Sequence, residues 1–553
     1  MNKSFFPDRD ERVIDFLTPV RIVASEKTVG GDILLRPCAG QATTRTGDEC
    51  ILQPGGCILL DFGREIHGGL CLVTGDFPLP NQHLRVTFGE SVSETGSHPD
   101  YKHAIQEGTV ELPPYAATDF GELGFRFVRL ENIEPERPVR LCGLRGRFVH
   151  RDLRALASFE CSDPLLNRIW DTSVSTVGLC LQSFAWDGIK RDRLVWMGDL
   201  YPELLAAGTV FGRLPVLEKS LDFLRDETPL PDMMNGCATY SIWWIWAHHA
   251  WFRRFGAREY LEKQREYLCG LLRLFAGMVG EHGEVRFTHG WLLLDWATGT
   301  REEDAPAIRA GCHALLLMAF RHGTELCREL GENGCAAEAE TAAAKMASFV
   351  PPLTPSAAAN AFQVLAGLRD AGTVYDQCFA PTLPHGLSTF LGCFVLDACA
   401  SAGHRAEALH HLRAYWGGML SLGATTFWEH FDIDWLENAA RIDEPVPPGK
   451  RDVHRDCGEG CYRSFRHSLC HGWASLPAEW LIRQILGASV LRPDHVSVMP
   501  SLCGLEWARG VVPTLYGDIR IEAAPDKVAV HAPPEVQITR GTHASGRMPE
   551  AAP

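Results

Sequence analysis

The sequence has none of the common motifs for binding nucleotides or presenting a catalytic nucleophile. It contains no glycine-rich phosphate loop, no dinucleotide fingerprint, no G-x-S-x-G elbow and no H-E-x-x-H pair. Basic residues are in the minority, since 53 lysines and arginines face 69 aspartates and glutamates for a formal net charge of -16. This balance argues against nucleic acid or an anionic membrane as the main partner.

Long apolar runs are absent as well. No segment approaches the length of a transmembrane helix, and the opening MNKSFFPDRDERVIDF has no apolar run long enough for a signal peptide. The 19 cysteines are odd in number and lie mostly inside apolar stretches such as VGLCLQSF. Such cysteines are typical of buried, reduced thiols, so we predict a cytoplasmic protein.

The chain is long and rich in tryptophan. Its 553 residues exceed one ordinary domain, and a hydrophobic content of 46% suffices for large cores. The 15 tryptophans are many for this length. Tryptophan-rich clefts often grip flat ligands such as sugar rings, although most tryptophans fill cores.

The pattern of elements divides the chain into three parts and a tail. Residues 1–155 read as strands, including CILLDFG and GLCLVTG on either side of a glycine-containing turn, which favours a β-sandwich. Residues 156–487 contain about a dozen helical segments, enough for a closed α/α toroid of six hairpins or for an open solenoid. Residues 488–541 return to strands, and residues 542–553 are predicted to be a disordered tail.

The helical part is predicted to begin in the stretch SDPLLNRIW. Ser162 or Asp163 can cap a helix that has Pro164 in its first turn. The apolar residues that follow recur at helical spacing.

The stretch DGIKRDRLVWMGD, residues 187–199, gathers six charged residues around one tryptophan. If the chain is helical after Lys190, one face of the helix carries Asp192, Trp196, Asp199 and Glu203. Like charges on one face need cations or a ligand to offset them, and such crowding shifts pKa values apart, as acid/base catalysis requires. The available cations are Lys190, Arg191 and Arg193. The alternative interpretation is a solvated, salt-bridged start of a helix.

The stretch SLGATTFWEHFDIDW, residues 421–435, has Glu429 directly after Trp428. It follows a glycine-terminated helix, so we expect the carboxylate on a loop beside aromatic side chains. Partial desolvation raises the pKa of a carboxylate and suits it to act as a base or an acid. A purely structural role is the alternative.

Two further stretches contain candidates. In FTHGWLLLDWATG, Asp295 lies between apolar residues and Trp296, so it either pairs with a buried partner or faces a ligand.

In HRDCGEGCYRSFRHSLCHGW, the histidines and cysteines match no zinc-finger or ribbon spacing, so we predict no metal there and interpret His471 as a polar pocket residue. The side chains concerned are His454, Cys457, Cys461, His467, Cys470 and His471. The remaining candidates are acidic and aromatic side chains, which are the residue types that enzymes commonly use to cleave glycosidic bonds.

Together and in order, these motifs resemble the inverting α-L-rhamnosidases, glycoside hydrolases built on a six-hairpin α/α toroid. LLDFGREIHGGL, LRVTFGESVSE and GFRFVRLENI are similar to the sandwich before the toroid, and DGIKRDRLVWMGD resembles the signature of an Asp, Arg-Asp-Glu-Arg and Trp-x-Gly-Asp. LLLDWATG and GATTFWEHFD resemble the Gly-Asp-Trp and Thr-x-Trp-Glu segments. The resemblance implies a multidomain α + β fold, with a central (α/α)6 toroid flanked by an N-terminal β-sandwich and a small C-terminal β-sandwich.

The resemblance also implies roles for individual residues. Glu429 matches the general base of the family, and the sugar-binding positions match Asp187, Trp196, Asp199, Asp295 and His471. The sequence departs from the family at the general acid, because it has Arg191-Asp192-Arg193, one residue shorter and without the glutamate. Asp192 takes the acid's position when the alignment runs backward from Trp196, and Arg193 takes it when the alignment runs forward from Asp187. The remaining candidate substrate contacts are Arg191, Arg193, Trp296 and Trp428.

Three functions follow from this interpretation. The first is hydrolysis of a terminal α-L-rhamnoside or related sugar with inversion, by Asp192 as acid and Glu429 as base, with carboxyl groups roughly 6.5 to 9.5 Å apart. The second is β-elimination at a rhamnose–uronic acid linkage, where the cations of the 187–199 stretch bind the substrate carboxylate. The third is sugar binding without catalysis. We expect a carbohydrate partner and no cofactor, nucleic acid or membrane, and the oligomeric state stays open.

Overall fold

The computed structural model describes residues 10–44, 47–78, 80–96 and 106–540. The predicted tail, residues 542–553, lies outside these described residues. Within the described ranges, no helix is both long and apolar enough to cross a membrane.

The N-terminal part forms an eight-stranded sheet. Its strands are β1 (Arg12–Leu17), β2 (Arg21–Val29), β3 (Cys50–Val73), β4 (Gln82–Gly89), β5 (Glu107–Leu112), β6 (Ala117–Asn132), β7 (Val139–Leu141) and β8 (Gly143–Arg151). The order is β1-β8-β3-β6-β4-β5, and β2 and β7 also pair with β3. All the pairings are antiparallel.

The long strand β3 differs from the sequence-based expectation. CILLDFG and GLCLVTG were expected on two strands joined by a turn, but CILLDFG and the first five residues of GLCLVTG lie on this single strand. Its pairing register with β6 shifts between Asp61 and Ile66, which marks a bulge that bends the strand without reversing it. The first half of β3 therefore pairs with β2 and β7, and the second half pairs with β8.

The central part is helical. Its α-helices are α1 (Pro164–Cys180), α2 (Met197–Val210), α3 (Pro215–Glu227), α4 (Ala238–Phe255), α5 (Arg258–Ala276), α6 (Ala305–Glu329), α7 (Asn333–Ala347), α8 (Ala357–Leu365), α9 (Ala371–Val374), α10 (Gly392–Ser401), α11 (Arg405–Ser421), α12 (Val453–Asp456) and α13 (Pro477–Gln484). The predicted start is confirmed, because the Asp163 side chain accepts the N–H of Leu165 and Pro164 is the first helical residue.

The inner helices form a closed ring. Helices α2, α4, α6, α8 and α10 each pack against the next, and α13 packs against α2. On its other side α13 reaches α10, since Arg483 donates a hydrogen bond of 2.8 Å to Asp397. This closure distinguishes a toroid from an open solenoid, and it explains why α2 and α4 are buried on nearly all faces.

Two small sheets complete the fold. Their strands are β9 (Ser158–Cys161), β10 (Ala488–Arg492), β11 (His495–Val498), β12 (Ala508–Thr514), β13 (Gly517–Ala524), β14 (Lys527–His531) and β15 (Gln537–Arg540). One sheet has the order β10-β11-β15 and the other the order β14-β13-β12-β9. Strand β9 precedes the first helix, yet it pairs with β12, so the start of the helical part is attached to the C-terminal sheet.

The predicted fold class is confirmed: a helical toroid follows an N-terminal sheet and is followed by small C-terminal sheets. The exact domain bounds stay predictions. The apolar core of the N-terminal sheet includes Ile189 and Cys470 from the helical part. The N-terminal sheet therefore packs directly against the two segments that contain most of the candidate site residues.

Candidate active site

The segment between α1 and α2 is a loop, so the prediction of a helix after Lys190 is wrong. Helix α2 begins only at Met197. Asp192 and Arg193 have φ values of 54° and 53°, in the left-handed region that an α-helix does not use. The loop is closed by a hydrogen bond of 2.8 Å from the N–H of Leu194 to the Asp187 carboxylate.

Only two of the four residues expected on one helical face share it. Asp199 and Glu203 lie one turn apart on α2, and both are buried. Asp192 and Trp196 precede the helix. The acidic cluster therefore forms from a loop and a helix that meet, and not from one helix alone.

A guanidinium group joins the two carboxyl groups that were predicted to act as acid and base. Nη1 of Arg191 lies 3.0 Å from Oδ2 of Asp192. Nη2 of the same side chain donates to both carboxylate oxygens of Glu429. Asp192 and Glu429 thus contact the two terminal nitrogens of one planar group, although they are 237 positions apart in the chain.

The main chain around Glu429 is held from several sides. The N–H of Ser468 donates to its carboxylate at 3.1 Å, and the Glu429 N–H donates to the Ser468 carbonyl at 3.0 Å. The Glu429 carbonyl accepts from the Thr389 hydroxyl at 2.6 Å and from the Trp473 indole at 2.8 Å. The carboxylate therefore has a defined position on what is otherwise a loop, as the sequence predicted.

The charge state of Glu429 is set by its neighbours. Burial by itself would raise its pKa, but the positive charge of Arg191, together with His471 and His467, lowers the pKa to about 2. This differs from the expectation that desolvation would raise the pKa. Glu429 is accordingly a carboxylate at any pH near neutrality.

This pKa shift predicts how stability changes with pH. A carboxyl group whose pKa falls from 4.5 to about 2 on folding stabilises the fold above pH 4.5, and the contribution is lost as the pH falls toward 2. The shift corresponds to about 3 kcal/mol. We expect the difference in unfolding free energy between the wild type and Glu429→Gln to shrink by about 2 kcal/mol as the pH is lowered from about 6 to about 3, with the remainder lost only as the pH falls through about 2. A difference that is independent of pH, measured by denaturant titration, would contradict the ion pair.

His471 lies among three carboxylates. Its Nε2 is 3.7 Å from Asp187 and 3.9 Å from Glu429, and its Nδ1 is 3.4 Å from Asp199. Burial would lower the pKa of this imidazole, but the nearby carboxylates of Asp187, Glu429 and Asp199 raise it. A main-chain hydrogen bond holds the segments of His471 and Asp187 together, because the N–H of Gly472 donates to the Asp187 carbonyl at 2.8 Å.

The remaining acids of the cluster are strongly buried. Burial raises the pKa of Asp187 and raises the pKa of Asp199 and Glu203 well above the ordinary range. Within the described part of the chain, neither oxygen of Glu203 has a hydrogen-bond partner. The Glu203 carboxyl also lies where a side chain on residue 472 would start, so a larger residue there would force the Glu203 side chain to move. We interpret Glu203 as a neutral acid beneath Asp199.

The lysine of the loop serves the interface between the two main domains. Lys190 is buried and contacts Glu90 at 2.9 Å and Glu94 at 3.1 Å, both from the end of β4 and the turn after it. It also donates to the carbonyls of Phe465 at 2.9 Å and His467 at 2.7 Å. Burial would lower the pKa of Lys190, but the two glutamates raise it. Lys190 therefore anchors the site loop to the N-terminal sheet.

The anchor leads to a prediction on stability. Replacing Glu90 by glutamine removes one of the two buried carboxylates that pair with Lys190, and losing a charged hydrogen bond of this kind costs about 1.5–3 kcal/mol. Glu90 also accepts the N–H of Leu469 at 2.6 Å. We expect a clear fall in the denaturant midpoint of Glu90→Gln. The matched control is Glu340→Gln, which breaks an exposed pair with Arg328 and should cost below about 1 kcal/mol. Equal midpoints for the two variants would disprove the anchor.

Arg193 points away from the carboxylate cluster. Its Nη1 donates to the carbonyl of Glu122 on β6 at 2.8 Å, and its guanidinium lies 5.8 Å from the centre of the Trp186 ring. Asp192, in contrast, contacts the guanidinium that holds Glu429. The structure thus associates Asp192, and not Arg193, with the other acids.

The other predicted side chains lie at different distances from this cluster. Asp295 is buried, and its oxygens accept the N–H of Ala297 at 3.0 Å and the hydroxyl of Ser388. Burial raises its pKa. Trp428 is fully buried and packs edge-on against Phe431, so it belongs to the core. Substrate contacts by these side chains stay predictions.

Two tryptophans of the set are partly exposed. Trp196 lies edge-on to Tyr240 at 6.3 Å between ring centres. Trp296 packs near Trp291 at 5.9 Å, and Trp291 is 43% exposed. Trp291 is an aromatic side chain that the sequence interpretation did not select.

The histidines and cysteines of residues 454–471 do not converge on one point. Among the described residues, only two groups of three side chains bring one ligand atom each within 4.8 Å of one another, namely Glu90, Glu94 and His454, and Cys269, Cys327 and Cys335. In the first group, the Lys190 ammonium already lies between the two glutamates. His454 uses both ring nitrogens there, with the Ser91 hydroxyl at 2.7 Å and the His467 carbonyl at 2.9 Å.

Several residues that shape the site were missed by sequence reasoning. Glu90, Ser468 and His467 bind or orient the loops. In the sequence, Glu90 stood out only as part of a strand-rich stretch, and His467 only as a possible metal ligand. Their roles depend on contacts between distant segments, which spacing along the chain does not reveal.

The fold and the cluster together define the class of this protein. A closed ring of helical hairpins that carries several buried carboxyl groups and aromatic side chains is a glycosidase-like α/α toroid. Residues 154–348 match the family model described as bacterial alpha-L-rhamnosidase 6 hairpin glycosidase domain. This part of the chain therefore resembles the glycosidase domain of bacterial α-L-rhamnosidases, as its motifs indicated.

Several solved structures have a similar fold. The GH78 family rhamnosidase of Bacillus sp. GL1 matches with a TM-score of 0.72 and 20% identity, over 93% of this chain and 56% of its own. The rhamnosidase from Klebsiella oxytoca with rhamnose bound matches with a TM-score of 0.67 and 21% identity, over 86% of this chain and 96% of its own. The Streptomyces avermitilis α-L-rhamnosidase complexed with L-rhamnose matches with a TM-score of 0.67 and 19% identity, over 90% of this chain and 50% of its own.

At these low sequence identities, the structural matches show similarity of fold. The chain spans about half the length of the Bacillus and Streptomyces proteins and nearly all of the Klebsiella protein. No curated protein sequence matches the chain.

Proposed function

We propose that the protein hydrolyses a terminal α-L-rhamnoside, or a closely related deoxy sugar, with inversion at the anomeric carbon. Asp192 acts as the general acid and Glu429 as the general base. The observation that carries this proposal is the pairing of both carboxyl groups with the two ends of the Arg191 guanidinium. Two carboxyl groups that meet at one site are the minimum requirement for this reaction.

The different environments of the two carboxyl groups fit different roles. The side chain of Asp192 is 26% exposed, whereas that of Glu429 is 6% exposed. An acid must reach the oxygen of the departing group, which lies toward solvent when only the terminal sugar is bound. A base must be ionised and can lie deeper, and Arg191 keeps Glu429 ionised.

In the proposed reaction, Asp192 donates its proton to the glycosidic oxygen while the bond from that oxygen to the anomeric carbon breaks. Glu429 takes a proton from a water molecule, whose oxygen forms the new bond to the same carbon from the opposite face. Asp192 ends as a carboxylate and Glu429 as a carboxylic acid, and exchange with solvent restores both. Asp187, Asp199 and His471 are proposed to hold the sugar hydroxyls.

The relatives support a rhamnose-type sugar. Two similar folds were solved with rhamnose bound, one from Klebsiella oxytoca and one from Streptomyces avermitilis. Acceptor oxygens and an imidazole, as in the cluster around His471, are suited to hydrogen bonds with sugar hydroxyls.

The cations favour hydrolysis over β-elimination. Elimination requires a cation that is available to the carboxylate of a uronic acid. Lys190 is paired with two glutamates, Arg193 with a backbone carbonyl, and Arg191 with Asp192 and Glu429. A loss of catalysis is disfavoured as well, because two carboxyl groups still meet at one guanidinium.

Product analysis tests the proposal. The protein is incubated with an aryl α-L-rhamnoside and, separately, with a rhamnosyl-glucuronide, and the products are followed by proton NMR and ultraviolet absorbance. We expect free β-L-rhamnose to form first and then to mutarotate. Initial release of the α anomer would overturn inversion. A new absorbance from a conjugated double bond would assign the protein to elimination instead.

A further inference from the structure

Three buried thiols meet away from the acidic cluster. Cys269 lies on α5, Cys327 near the end of α6 and Cys335 near the start of α7. Their Sγ atoms all lie within 4.8 Å of one another, and those of Cys269 and Cys327 are 4.0 Å apart. The residues are 6%, 0% and 1% exposed. None of them belongs to the proposed catalytic site.

The spacing of the sulfur atoms suits a shared metal ion. Three sulfurs bonded to one ion at about 2.3 Å are about 4.0 Å apart in a planar arrangement and about 3.8 Å apart in a tetrahedral one. The 4.0 Å between Cys269 and Cys327 falls in this range, and a shift of under about 1 Å brings the third sulfur to the same distance. A disulfide requires about 2.05 Å between sulfurs and would leave one of the three thiols over.

Cysteine binds metals as the thiolate, and the position of one of the three side chains helps to accommodate negative charge. Cys335 is the third residue of α7, where the N-terminal end of a helix stabilises negative charge.

We propose that Cys269, Cys327 and Cys335 form a binding site for one soft, thiophilic cation of the zinc or copper(I) type. Thiolate sulfur is the ligand that such ions prefer. Binding forms three metal–sulfur bonds and releases the thiol protons to solvent, without any electron transfer. The ion ties α5, α6 and α7 together on the outside of the toroid, so its role is structural.

The test uses the full-length protein, reduced and freed of metal, and Cd²⁺ as the probe. We expect a sulfur-to-cadmium charge-transfer band that saturates at one equivalent, together with a rise in Tm. In Cys327→Ala the affinity should fall by roughly a hundredfold or more, since losing even an outer-shell partner of a metal site costs 10–100-fold. Cys335→Ser tests the same site if Cys327→Ala does not fold.

The matched control is Cys393→Ala. Cys393 is a buried thiol on α10 whose charged neighbours are Asp397, Glu479 and Arg483 rather than other thiols. This control should keep both the band and the rise in Tm. The proposal is overturned if the wild type shows no band at one equivalent or if a Cys327 or Cys335 variant binds like the wild type. It is also overturned if peptide mapping finds a disulfide between Cys269 and Cys327.

Discussion

Replacement of Asp192 by asparagine should lower kcat/KM by about 10²- to 10⁴-fold for a rhamnoside with an alkyl leaving group, which is the usual contribution of a general acid. For a 4-nitrophenyl rhamnoside the loss should be far smaller, because that leaving group departs without a proton. The measurement is a series of leaving groups of decreasing pKa on wild type and variant. A loss of the same size across the whole series would contradict an acid role.

Two other variants sharpen this result. Arg193→Gln should change the same parameters little, because Arg193 contacts a carbonyl of β6 and not the carboxylate cluster. If Arg193 bound the carboxylate of a uronic acid substrate, replacing Arg193 would instead raise KM for that substrate. Asp526→Asn, an exposed aspartate between β13 and β14, controls for the removal of one negative charge.

Replacement of Glu429 by glutamine should lower turnover of every leaving group by a similar factor, also about 10²- to 10⁴-fold. The base activates water, so its loss does not depend on how easily the sugar's partner departs. Glutamine keeps an acceptor oxygen for Arg191 and the shape of the side chain, so the folded structure should persist. Steady-state kinetics on the same leaving-group series measures this factor.

The exposed Glu437, on the same loop region, supplies the control as Glu437→Gln. It should leave kinetics unchanged. If Glu429→Gln also retained wild-type turnover while Asp192→Asn did not, Glu429 would be a structural partner of Arg191 and the base would have to be another group. An acid–base pair predicts that the loss of activity depends on the leaving group in Asp192→Asn and does not depend on it in Glu429→Gln.

Much of the fold was predictable because its signals are local. Asp163 and Pro164 mark the start of α1 through their own backbone preferences, and the structure confirms that start. The recurrence of helical segments between the strand-rich ends likewise indicated the order of the parts. The bulge that keeps β3 continuous was missed, because glycines near a strand end are equally compatible with a turn.

The site was predictable in composition but not in geometry. The 187–199 stretch was recognised as charged, yet its helix was wrong because consecutive left-handed residues at Asp192 and Arg193 depend on contacts with other segments. The role of Lys190 could not be seen either, since Glu90 and Glu94 lie about a hundred residues away in the sequence.

The sequence by itself determined the elements of this protein, their order and the residue types available for chemistry, because helix caps, apolar periodicity and motif composition act over a few neighbouring residues. Only the tertiary structure decided that the helices close into a ring, that Arg191 links Asp192 to Glu429, and that Arg193 turns away. These outcomes depend on burial and charge pairing between segments that are distant in the chain. In a desolvated environment such pairing is strong enough to override local preference.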